Sequence, residues 1–158
     1  MLLALLLSTV LALPTGTIEG SISPTEKFKP SKPIQVAVFS GDYLTLYLSE
    51  AQQRIDNYWE NYRGLFIENK EAFLVFRDRA QRQAMESTLN QMRRDDPLQY
   101  SHFSQTITGN TFAFREVPQG ECKVVALITV GNQEFVWSQS VILAEKSPAF
   151  VTLKPANP

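Results

Sequence analysis

The chain has 158 residues, 44% of them hydrophobic, with 15 basic against 16 acidic side chains and a formal net charge of -1. That is enough for one domain with a core of its own. The charge balance removes any global electrostatic ground for a nucleic-acid partner or an anionic membrane surface. A single cysteine, Cys122, excludes an intrachain disulfide. It also stands too far from the start to be a lipid-modified N-terminal cysteine.

Residues 2–12 are apolar and uncharged and are followed by Pro14 and Gly16. The run is too short to cross a bilayer and suits the core of a secretory signal, with Val10 and Ala12 as the small residues before a cut. No Lys or Arg follows Met1, so a buried first strand or a misassigned start stays open beside the leader reading. With residues 1–12 as signal peptide, the mature chain begins near Leu13. It is then secreted or periplasmic, with no transmembrane segment.

Residues 17–23 alternate and read as a first strand, with Ile18 and Ile22 on one side. Gly20 interrupts it, which suits a close approach of another backbone. Residues 24–33, rich in Pro and Lys, form an extended connector. Ile34, Val36 and Val38 mark one face of a second strand, closed by Ser40, Gly41 and Asp42. From Leu44 the period changes. Leu48, Ala51, Ile55, Tyr58, Tyr62 and Leu65 follow at steps of three and four, an amphipathic helix with Ser49 as its expected N-cap. Phe73, Phe76, Ala80, Ala84, Met85, Leu89 and Met92 make a second such run, ended by Asp95, Asp96 and Pro97. Two antiparallel helices are expected, joined between Arg63 and Lys70.

The β pattern then resumes. Residues 104–108 and 111–114 flank Gly109-Asn110, a two-residue hairpin signal. Phe112 and Phe114 alternate with Thr111, Ala113 and Arg115, so both rings point inward. Val117-Pro118-Gln119-Gly120 is a tight corner in which Gly120 can take positive φ. Residues 121–130, 134–142 and 149–153 complete seven strands. The fold expected is mainly β with an α insertion. It is a seven-stranded antiparallel Greek-key sandwich of the prealbumin or immunoglobulin kind, with a helical hairpin at residues 43–97 between strands two and three.

The run Thr108, Gly109, Phe112, Phe114, Val117, Pro118, Gly120, Val124 and Ala126, with Val151, Leu153 and Asn157 near the end, resembles the carboxypeptidase regulatory-like domain. That family belongs to the transthyretin-like sandwiches. The likeness covers residues 17–42 and 104–157, within one domain at 17–157. It implies the sandwich fold and an accessory, adhesive or ligand-binding role. Cys122 stands where that family usually places an aromatic. The His and Arg constellation and the C-terminal Tyr-Arg-Gly-Ser of related hydroxyisourate hydrolases are missing, so no catalytic residue carries over.

The remaining chemistry is sparse. His102 is the only histidine and has no second His or Cys near it in sequence, so neither a triad nor a zinc site is indicated. Asp95 and Asp96 beside Arg93 and Arg94 read as a solvated helix-end cluster. Glu134 has no partner suggested by sequence. Cys122 shares a strand face with Val124, Ala126 and Ile128 and reads as a buried thiol. Trp137 reads as a core or rim aromatic. No cofactor and no metal are expected.

Tyr58, Trp59, Tyr62 and Phe66 cannot all face one seam, because neighbours on a helix diverge by about 100°. Some must pack on the sheet or form a surface for a partner. The expected function is a non-catalytic binding or structural module of the cell envelope, meeting an envelope protein or polysaccharide. The alternative is a carbohydrate-binding module of starch-binding-like type.

Overall fold

The structure, a computed structural model, describes residues 13–23, 29–144 and 148–155. The leader reading at residues 1–12, part of the Pro/Lys connector, and Asn157 lie outside the described residues. Among the described residues seven strands form two sheets beside three helices, and 45% of those residues are helix and 40% strand. The class is therefore mixed α/β, which corrects the expectation of a mainly β chain. The helices are longer than the sequence suggested, and there is one more of them.

The first sheet has the order β4-β1-β7 and the second the order β3-β2-β5-β6. In the first, β1 (Thr15–Ile22) lies between β4 (Thr111–Pro118) and β7 (Ala149–Leu153). β1 pairs antiparallel with β4 but parallel with β7. That corrects the expectation of a fully antiparallel arrangement: both strands enter from the same end of the sheet. In the second, β2 (Ile34–Ser40), β3 (Ser104–Ile107), β5 (Gly120–Val130) and β6 (Gln133–Leu143) are all antiparallel neighbours.

The two sheets share one buried layer. Ile18, Ile22, Phe112 and Phe114 from the first meet Val36, Val38, Val124 and Ile128 from the second. The alternation read at Phe112 and Phe114 holds, with Thr111, Ala113 and Arg115 exposed between them. Burying each phenylalanine contributes roughly 1.5–3 kcal/mol from area alone. Gly20 stands opposite Phe112, and the Phe112 ring fills the space that a Cβ at Gly20 would need. The close approach is thus an aromatic ring laid over a bare backbone.

One local expectation fails and its neighbour holds. Gly109 and Asn110 do not close a hairpin, because β3 pairs with β2 while β4 pairs with β1. The link instead carries the chain from one sheet to the other. The corner after Val117 makes the same crossing in return, and Gly120 takes φ +112°, as its position requires. Glu116 also has positive φ, at 56°, with nothing in the sequence to announce it.

Helix α1 (Gly41–Glu68) follows β2 directly, with Ser40 at its N-cap. Ser49 lies inside the helix, so the expected cap is corrected. Tyr62 departs from helical geometry (φ -126°, ψ 20°) and kinks the helix. The break falls at Asn69, whose side chain accepts from the Ala72 amide at 3.1 Å and so caps α2 (Lys70–Asp95). A third helix, α3 (Pro97–Phe103), occupies what the sequence suggested was a link. Asp96 caps it through the Gln99 amide at 3.0 Å, and Pro97 takes its first turn.

The near halves of α1 and α2 cover the second sheet. Leu44, Tyr47 and Ala51 from α1, with Ala84, Met85 and Leu89 from α2, seal Ala37, Phe39, Val125 and Val136. Tyr47 stacks on Phe39 at 4.9 Å between centroids. β2 is consequently buried on both faces, which is why it reads as an almost unbroken apolar run. β6 is an edge strand, and α2 meets it with two charged side chains. Arg82 Nε lies 2.8 Å from Glu134 Oε2, and Asp78 accepts from the Val136 amide. Unpaired strand groups at that edge are thereby shielded.

Candidate functional site

A helix of 28 residues is about 42 Å long, whereas four strands side by side span roughly 15 Å. The helical pair therefore overhangs the sheet. Among the described residues, the core beneath it stops at Ala51 on α1 and Ala84 on α2. Past the Arg82 and Asp78 contacts to β6, the packing seen among the described residues is of the two helices on each other.

What they share there is a cluster of six rings. Tyr58 packs edge-on to Phe76 at 5.0 Å, and Tyr62 lies 5.0 Å from the same ring. Phe66 sits between Phe73 at 5.4 Å and Phe76 at 5.2 Å. Trp59 stacks on Phe66 and meets Phe73 edge-on, both at 5.9 Å. Tyr58 Oη also donates to Gln83 Oε1 at 3.3 Å, and the Arg79 guanidinium lies over Phe76 at 5.1 Å. Each aromatic pair adds about 0.5–1.5 kcal/mol beyond simple burial. The far end is thus a small core of its own, held by ring contacts.

The four residues singled out by sequence separate within this cluster. Phe66 is its centre and only 3% exposed, so it offers no surface. Tyr58 is half-buried. Trp59 and Tyr62 are 40% and 46% exposed and do face outward. The sequence reading missed their companions: Leu65, Ile67 and Val75 are also exposed on the same stretch. Leu65 was hidden by its helical spacing, which assigned it to the seam between the helices, and Ile67 and Val75 belong to neither apolar run.

The other candidates resolve without chemistry. His102 is exposed on α3, beside Phe103. Asp95 accepts from the Gln91 amide group at 2.6 Å, and Asp96 is the cap already described. Cys122 is fully buried, and burial pushes its thiol up from 9.0 to about 11, so it is protonated at neutral pH. Trp137 is 3% exposed in the shared core, which makes it a core residue and not a sugar platform. Glu134 has the partner that sequence could not name, Arg82.

Among the described residues no group of three His, Cys, Asp or Glu side chains could hold a metal ion, and no helix is long and apolar enough to cross a membrane. The outer face of the first sheet carries one unforeseen feature, Phe150 at 76% exposure. It lies in register with Glu19 on β1, next to a row of Thr111, Ser21 and Thr152. Comparison of the chain with protein-family models, curated proteins and solved structures gives no match in any of the three.

Proposed function

We propose that this chain is a non-catalytic, exported binding or structural module of the cell envelope that meets its partner with the far end of its helical hairpin. In this reading the two sheets are a Greek-key sandwich of the carboxypeptidase regulatory-like kind, and the hairpin is an insertion between its second and third strands. The observation that carries the reading is the overhanging ring cluster, with Trp59 and Tyr62 turned outward beyond the last strand. Exposed aromatics held rigid by buried ones are the usual anchors of protein interfaces. The test is capture from an envelope extract by the tagged full chain, beside a Trp59→Ser/Tyr62→Ser variant. Selective loss of a captured protein in the variant is expected, and equal capture by both would overturn the assignment of the surface.

Phe150 supports a second reading, a carbohydrate-binding module of the starch-binding-like type. One exposed ring beside three hydroxyl side chains and the Glu19 carboxylate suits a sugar face and its hydroxyl groups. Retardation in an amylose gel that Phe150→Ala abolishes would favour it.

A further inference from the structure

We infer that the far end of the hairpin binds a second copy of this chain, two tips packing side by side as an antiparallel four-helix unit about a two-fold axis. The inference rests on the docking reading above and names its occupant.

Three observations point to self-association. The first is the distribution of the exposed apolar side chains. Trp59, Tyr62, Leu65, Ile67 and Val75 come from both helices and continue around the tip. Exposed apolar side chains gathered at one end of a molecule mark a site of contact. The second is size. Five such side chains, each about half out of its surroundings, present on the order of 400 Å2 of apolar surface. A standard interface covers about 800 Å2 per copy, of which about two-thirds is apolar in homodimers. The patch is of the right scale for one further copy.

The third is charge. Exposed charges on the overhanging part of α1 are Asp56, Glu60, Arg63 and Glu68, three acids to one base. Those on α2 are Lys70, Glu71 and Arg79, two bases to one acid. The helices thus carry opposite net charge. A two-fold axis that lays α1 of one copy along α2 of the other pairs the acidic strip with the basic one, twice. The same near-neutral balance gives an anionic lipid surface nothing to attract.

Sedimentation velocity of the full chain over a concentration series tests this. A monomer–dimer equilibrium in the micromolar range is expected. Trp59→Ser/Leu65→Ser should raise the dissociation constant at least about tenfold with the circular dichroism spectrum unchanged, since neither residue touches the sheets. Glu60→Arg and Arg79→Glu should each weaken the dimer, and the two together should restore it. A chain that stays monomeric throughout overturns the inference. If that monomer still captures an envelope protein, the docking reading stands with another partner. If it instead sediments with neutral phosphatidylcholine vesicles, a lipid surface is the occupant. A monomer that captures neither loses both readings. A dimer indifferent to all four substitutions also overturns the inference, because the contact then lies elsewhere.

Discussion

Two groups of rings in this molecule use the same chemistry and reach different ends. Phe112 and Phe114 lie 5.8 Å apart in the buried layer that the two sheets share, and the second sheet closes over them. The six rings of the hairpin tip are packed just as closely, but among the described residues only two helices hold them. Phe114 is wholly buried, whereas Tyr62 is 46% exposed. The difference is one of layers. A ring between two sheets is sealed by both, while a ring in a two-helix seam always keeps an edge in water. Stability therefore concentrates in the first group.

The largest effect should come from emptying the sealed group. Phe114→Ala removes a fully buried ring and should cost about 3–5 kcal/mol in urea denaturation, with Ala113→Ser beside it nearly neutral. Equal losses at positions 113 and 114 would break the comparison at its root. Next is a change that crowds the same rings. Gly20→Val drives a side chain into the Phe112 ring and should cost about 1–3 kcal/mol.

The sealed region also predicts a pH response. Burial raises the Cys122 thiol from 9.0 to about 11, so the fold favours the neutral form. That contribution is complete below about pH 9 and is lost as pH rises from there towards 11, because the unfolded chain releases the proton first. The urea midpoint should therefore fall between pH 8 and pH 10.5, less so in Cys122→Ala. A thiol reagent at pH 8 should react only after unfolding. The smallest effect belongs to the open group. Trp59→Ala should cost about 1–2 kcal/mol, since the ring keeps two aromatic contacts but is already 40% in water.

The comparison also revises what the helices are for. Replacing all of residues 49–95 with a short linker looks harmless when the hairpin is taken as an appendage. In the structure that cut would bare Phe39, Val125 and Val136, which the near halves of α1 and α2 seal. Removing only residues 56–78 spares most of that layer, and that shorter chain should remain cooperatively folded by circular dichroism.

Sequence disclosed most where the pattern is local. The two-residue alternation through Phe112 and Phe114 placed β4 and its buried face, and the steps of three and four placed both long helices. It disclosed least where pairing is distant. Gly109 and Asn110 have the composition of a hairpin turn, yet whether flanking strands pair is decided by β1 and β2, far back in the chain. Helix α3 was legible in principle, since an Asp-Pro pair begins a helix as readily as it ends one. Of the site, the aromatic excess on α1 was visible. Which of its rings turn inward was not, because the Tyr62 kink interrupts the regular wheel on which Phe66 is buried and Trp59 and Tyr62 are exposed.

The place of β1 has a bearing on the route by which the chain reaches this structure. It is the central strand of its sheet, yet its parallel neighbour β7 is the last strand in the sequence. The loop that their pairing closes is almost the whole chain, the kind of distant contact that slows a folding transition. While the polypeptide is being made, β1 emerges before the other described strands and stays open on that side until β7 follows. The helices and the β5–β6 ribbon, whose contacts are local, can order in the meantime. Closure of the first sheet is then the step that commits the molecule, and it falls to five residues, Ala149–Leu153.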